Sequence, residues 1–254
     1  MWIDAHAHLY DLDDAELSST VVACRDAGVD YVLNTGNSLE SSETVIRQCR
    51  SFPDIYGAAG ISPFDANRLN ESWPAILESM LSAPQIIAIG ETGIDSTNTA
   101  YPDMKLQTPL FEQQLSIARE HDIPIIVHSR GCESLAVDIC KTGGVVKAMF
   151  HCFAGSIADL KKCLDAGYYV SFSGIITFKN SKLSELVEYI PLERMLIETD
   201  SPYLAPAPFR GKKNRPDLVV YVGKKLSEIK KISEAKAAEA LKENFRKLFF
   251  LENR

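Results

Sequence analysis

Eight short apolar runs punctuate the chain: WIDA from residue 2, YVLN from 31, IYGAAG from 55, QIIAIG from 85, IPIIVH from 123, VVKAMF from 145, YYVSFSG from 168 and MLIET from 195. Between them lie stretches with helical spacing of apolar positions, such as DAELSSTVVACRDAG, PLFEQQLSIAREHD and SIADLKKCLDAG; the first and last of these end in a glycine, where a helix stops. Strand then helix is the repeating unit. Near-continuous apolar strands joined by helical crossovers predict a parallel sheet covered on both faces, and eight such units predict a (β/α)8 TIM barrel rather than an open sheet. The segment ISEAKAAEALKENFRKLFFL, residues 232–251, predicts one extra C-terminal helix. No long linker rich in Pro, Gly or Ser interrupts the pattern, so a single domain over residues 1–254 is expected.

Composition changes this picture little. At 46% hydrophobic and 24% charged, the chain has the make-up of an ordinary globular protein. Asp4, Asp11, Asp13 and Asp14 crowd the N-terminus where a secretory leader would be basic and then apolar, and no apolar run has the length of a membrane span. A cytoplasmic protein without membrane partners is expected. Six scattered cysteines without a C-x-x-C pair suit buried thiols better than a disulfide framework or zinc knuckle; Cys152 stands out only because it adjoins His151.

Charge is more informative. The net value of −7 argues against a phosphate-binding surface, yet of 27 basic and 34 acidic residues, 13 and 6 fall in 210–254, leaving 14 and 28 before them. The basic end of the chain reads either as solvated helix faces or as an anion-binding region.

All eight carboxyl ends of such a barrel open onto one face, where catalytic groups collect. His6 and His8 follow the first run, Glu91 the fourth, and Asp200 the eighth, while His128 and His151 close the fifth and sixth. Four of the five histidines occupy these ends; His121 does not. Four imidazoles and two carboxylates around one mouth suit one or two divalent metals such as zinc, manganese or nickel. Two neighbouring cations need a shared anionic ligand, which points to Glu91 as the bridge, with His6, His8 and Asp200 completing one site and His128 and His151 the other. Asp200 is also the expected general base for an attacking water.

IDAHAHL, IGETGID, IVHSR, FHCFAG, ETDSPYLAP and RGKKNRP, spread in order over residues 3–216, resemble the signature segments of the TatD-type metal-dependent deoxyribonucleases, an amidohydrolase-like family. The resemblance implies a TIM barrel and two divalent ions on His6, His8, Glu91, His128, His151 and Asp200. It also implies hydrolysis of DNA phosphodiester bonds, with single strands or 3′ ends as the expected partner; separately, a monomer is expected, although residue types do not fix oligomeric state. Magnesium or manganese commonly supports these enzymes, and zinc fits the donor set. From the same resemblance, Arg210, Lys212, Lys213, Asn214 and Arg215 are expected at the nucleic-acid backbone, and Arg130 is a further candidate at the mouth, or else a surface arginine paired with a carboxylate.

One position departs from the family. Its usual Gly-aliphatic-His-Pro segment reads GISPF here, with Ser62 in place of the histidine. A hydroxyl carries no positive charge, so any substrate contact there differs, unless the change is neutral. Two competing readings follow: a hydrolase of a small amide, ester or phosphoester or of aminoacyl-tRNA, and a scaffold that has lost catalysis. Steep loss of activity with salt would mark the nuclease against the first.

Overall fold

The computed structural model describes residues 1–250. Eight strands run β1 (Trp2–Ala7), β2 (Val29–Thr35), β3 (Ile55–Ala59), β4 (Ile86–Asp95), β5 (Ile125–Arg130), β6 (Ala148–Phe150), β7 (Tyr169–Phe172) and β8 (Met195–Ile197). They form one sheet in sequence order, with each consecutive pair from β1/β2 to β7/β8 parallel. Nine α-helices alternate with them: α1 (Asp14–Ala27), α2 (Leu39–Ser51), α3 (Trp73–Met80), α4 (Met104–Glu120), α5 (Glu133–Thr142), α6 (Ile157–Asp165), α7 (Ser184–Tyr189), α8 (Val219–Lys230) and α9 (Glu234–Phe249). All eight predicted strands are present, and α9 is the extra C-terminal helix; Leu251, with which its predicted segment ends, lies outside the described residues. No helix among the described residues is long and apolar enough to cross a membrane.

Local signals explain the boundaries. Asp13 and Ser156 cap α1 and α6 in reciprocal capping boxes with Glu16 and Asp159. Gly28 ends α1 in the left-handed conformation at φ 77°. The helix expected to begin at Pro109 begins five residues earlier, because Asp103 caps at Lys105 and the proline is accommodated inside α4.

The first and fourth strands run further than their apolar letters. β1 continues through His6, and β4 through Glu91 to Asp95, because the latter stays paired with β5 from Thr92↔Val127 to Asp95↔Arg130. The register shifts between Ile89 and Thr92, an irregularity of the kind that re-aims side chains, and Glu91 lies inside it. Only glycine fits at position 93: a Cβ there would lie 2.0 Å from the His128 carbonyl oxygen, so Gly93 lets β4 pack directly on the strand carrying His128.

Between β8 and β1 the barrel closes without a regular ladder. His8 N–H donates to the Ser201 carbonyl (2.7 Å) and Asp200 N–H to the His6 carbonyl (3.0 Å). Below them the fully buried Asp4 carboxylate accepts from Thr199 N–H (2.8 Å) and from the Thr199 hydroxyl (2.5 Å). Asp4→Ala leaves both Thr199 donors without their acceptor. It is expected to lower the unfolding free energy by about 2–4 kcal/mol in urea denaturation, and a loss below about 0.5 kcal/mol would show that the seam closes without it.

Candidate metal centre

Strand geometry alone brings His6, His8, Glu91, His128, His151 and Asp200 to one mouth. Glu91 is the junction. Its Oε2 faces His8 Nε2 at 3.3 Å and His6 Nε2 at 3.6 Å, whereas its Oε1 faces His128 Nδ1 at 3.1 Å and His151 Nε2 at 3.7 Å. Asp200 Oδ1 joins the first group, 3.7 Å from His6 Nε2 and 3.6 Å from His8 Nε2. Potential ligand atoms gather into three sets, His6, His8 and Glu91; Glu91, His128 and His151; and His6, His151 and Asp200, the last of which links the other two.

The atoms turned away from the centre fix which ring nitrogens face inward bare. His8 Nδ1 donates to the Thr35 carbonyl at 2.8 Å, His128 Nε2 to Asp95 Oδ2 at 3.2 Å, and His151 Nδ1 to Glu198 Oε1 at 3.4 Å. In each neutral ring the opposite nitrogen then presents a lone pair to the Glu91 carboxylate, and His6 Nε2 lies only 3.1 Å from His8 Nε2. Lone pairs converging on carboxylate oxygens repel unless cations lie among them, so this donor set fits divalent metal ions.

Protons compete with cations for these same inward nitrogens. Burial works against the charged form of Glu91, but His151 together with hydrogen bonds from His128, His151 and His8 outweighs it and holds the carboxyl well below its usual range. Burial and the neighbouring His151 and His8 keep His6 well below an ordinary histidine. For His151, burial again opposes charge, but Glu198 and Glu91 prevail and raise its proton affinity well above normal. Burial raises Asp200 to about 6 against the pull of His151 and His8.

Asp95 and Glu198 were not singled out by sequence, although both lie in the quoted segments IGETGID and ETDSPYLAP. The signal was an acidic residue inside or directly beyond an apolar strand. Asp95 is further held by Thr97 and Asn98, and the fully buried Glu198 accepts from the Ser171 hydroxyl.

The centre opens into a cleft of about 250 Å³ lined also by Asn37, Ser62, Phe64, Tyr101, Arg130 and Tyr203. Ser62 is buried, with its N–H donating to the Asn37 carbonyl at 2.8 Å. Arg130 makes no ion pair among the described residues; one guanidinium nitrogen lies 3.7 Å from Cys152 Sγ, so the expectation of a surface arginine paired with a carboxylate does not hold.

The basic loop is placed differently from expectation. Asn214 is buried, and its amide donates to the carbonyls of Thr199 (2.9 Å) and Tyr203 (2.6 Å), so it clamps the turn carrying Asp200 and has no free group for a phosphate. Arg215 is paired with Asp217 through two bonds of 2.9 and 3.0 Å. Arg210 stacks 4.0 Å over Phe178, away from the cleft lining. Lys213 is exposed and lines, with Asn214 and Arg215, a neighbouring groove of about 290 Å³ that meets the centre at His8.

With this geometry in view, comparison with known proteins is decisive at the level of family. The model for TatD related DNase matches residues 3–250. The chain belongs to this family. It is 34% identical over 253 residues to a Bacillus subtilis protein named uncharacterized metal-dependent hydrolase YabD, covering 98% of this chain and 99% of that one. It is 30% identical over 246 residues to an Edwardsiella piscicida protein named 3'-5' ssDNA/RNA exonuclease TatD, covering 93% and 94%. The crystal structure of the TatD homologue YjjV from Escherichia coli matches with a TM-score of 0.93 at 26% identity, covering 98% of both chains. The TatD-family chain is a metal-dependent hydrolase whose His, Glu and Asp groups are placed to bind metal.

Glu198 acts on His151 from behind, so Glu198→Gln weakens the partner that orients this imidazole. Metal affinity, read by competition with a chromogenic chelator, is expected to fall about 10–100-fold with the far-ultraviolet spectrum unchanged. Unchanged affinity would mean that the ring is oriented without it.

Proposed function

We propose that this TatD-family protein is a deoxyribonuclease of the 3′ exonuclease type, hydrolysing the phosphodiester bond at the end of a DNA strand with two divalent ions per chain. The observation that supports it most is the division of Glu91 between two imidazole pairs, one oxygen to each. The name of the Edwardsiella relative supports a single-stranded substrate. His6, His8 and Asp200 would hold one ion and His128 and His151 the other, with Glu91 available to both; magnesium, manganese and zinc all suit these residues. Bound there, such a pair supplies Lewis acidity, activating water near neutral pH and offsetting charge on the phosphate.

The chain's own groups do the rest. Arg130, with no carboxylate partner, holds a non-bridging phosphate oxygen from the cleft wall. A water oxygen adds to phosphorus as the bond from phosphorus to the 3′ oxygen breaks. Asp200 takes the water's proton, and the departing 3′ oxygen is protonated from solvent.

Elemental analysis of the purified chain, followed by hydrolysis of an end-labelled single strand with and without chelator across Mg²⁺, Mn²⁺ and Zn²⁺, tests this reading. Two bound ions and metal-dependent shortening from the 3′ end are expected. Glu91→Gln should lose metal and at least about a hundredfold in rate while remaining folded. Bound metal with an intact oligonucleotide would instead favour the small-molecule or aminoacyl-ester hydrolase.

The structure also moderates the salt dependence. With Arg130 and Lys213 as the unpaired cations at the mouth, the logarithm of apparent affinity for a single strand should fall with that of salt at a slope of about −1 to −2. Titration of binding to a cleavage-defective variant across salt concentrations measures it.

A further inference from the structure

Three aromatic side chains outside the ligand set line the metal cleft: Phe64, Tyr101 and Tyr203. Tyr101, in the loop after β4, lies nearly parallel to the His128 ring, with an interplanar angle of 11° and centroids 6.1 Å apart. Phe64, just beyond β3, meets Tyr101 edge-on at 5.6 Å and 80°. The Arg68 guanidinium sits 4.5 Å over the Phe64 ring. Rings therefore extend in a connected series from a ligand of the centre out to the rim.

Tyr203 stands on the other side. It follows β8, four strands from β4 around an eight-stranded barrel, which places the two loops across the mouth from each other. Its side chain is largely in solvent, with the residue 59% exposed, while its backbone is held by Asp200 (2.9 Å) and the Asn214 amide (2.6 Å). Phe64 is 37% exposed in the same cleft. Folding gains little from large rings left in water beside charged groups, and π faces offered in this way are what nucleobases stack on.

We propose that Tyr101 and Phe64 on one wall and Tyr203 on the other form a stacking clamp for the unpaired terminal nucleobase of the strand whose phosphate is cut. The proposal rests on the deoxyribonuclease reading above. Every base has a π face, so the clamp is indifferent to sequence. A base inside a duplex has its faces covered by its neighbours and cannot enter, so the clamp selects single-stranded ends. Arg68, by polarising the Phe64 face, supports the outer ring.

The test compares two short single strands, identical except that one ends at its 3′ side in a natural nucleotide and the other in an abasic tetrahydrofuran residue. The full-length, manganese-loaded chain is expected to cleave the natural end with a kcat/KM about 5- to 150-fold higher. In the Tyr101→Ala/Tyr203→Ala variant the ratio of the two kcat/KM values should fall to about 1. Tyr101→Phe/Tyr203→Phe keeps the rings and should keep the ratio. Independently of turnover, a strand ending in 2-aminopurine behind a cleavage-resistant phosphorothioate link should lose fluorescence on binding the magnesium-loaded chain and not on binding the double alanine variant loaded in the same way. Equal cleavage of both strands by the unmodified chain, or a ratio that survives the alanine variant, overturns the clamp and leaves the nuclease standing. Failure of the metal-loaded chain to cut either strand overturns both.

Discussion

The structure depends on how the eighth strand returns to the first. The two have no regular ladder, and an open edge there would separate His6 and His8 from Asp200. Closure instead uses the backbone of those same residues: His8 bonds to Ser201 and Asp200 to His6, with the Asp4 carboxylate pinning Thr199 below. Barrel closure and assembly of the first ligand group are one set of hydrogen bonds. The extra helix α9 covers this seam, lying against β1 and β8 with Leu241, Phe245 and Leu248 buried. Its Asn244 amide donates to the carbonyls of Leu192 and Met195 as the chain enters β8.

A closed frame then confines charge that would otherwise disperse. Glu91, Asp95, Glu198 and Asp4 are all buried, with Asp200 nearly so, around four histidines. Unneutralised carboxylates at such density repel strongly where water is scarce. The two divalent cations proposed for the centre would carry four positive charges, enough to let the imidazoles remain neutral ligands. Asp95 and Glu198 sit behind histidines rather than in front of them, so their charge strengthens the ligands without occupying ligand positions.

Much of this was readable from spacing. Eight apolar runs were eight strands because buried parallel strands tolerate few polar letters, and the polar letters at their carboxyl ends were the six ligand candidates, since the barrel sends those ends to one face. What spacing did not convey depends on contacts across strands. The shifted register at Glu91 arises from pairing with β5, and neither run reveals it alone. Asn214 looks like any polar letter in a basic loop; its role as a clamp exists only because the turn from Thr199 to Tyr203 folds back onto it. Arg215 likewise reads as a free cation until Asp217 is seen two residues later with the geometry to pair. Residues acting through another residue carry no periodic signal, which is why Asp95 and Glu198 were passed over.

These corrections change how an acidic protein can act on a polyanion. A chain with net charge −7 and few unpaired cations near its cleft has little long-range field with which to gather DNA. Of the net +7 of residues 210–254, the loop at 210–218 supplies +3 and α8 and α9 together another +3, and within that loop Arg215 is paired with Asp217 while Arg210 packs on Phe178. On the proposed reading, attraction would arise at the centre itself, from bound cations that offset the phosphate and from rings that take the base. Such recognition is local: it needs an end that can enter a cleft of about 250 Å³, and it gains nothing from the length of duplex beyond. An enzyme of the proposed kind would trim ends and leave the interior of a helix alone, because groups for the phosphate and rings for the base could reach the same nucleotide only when that nucleotide is free.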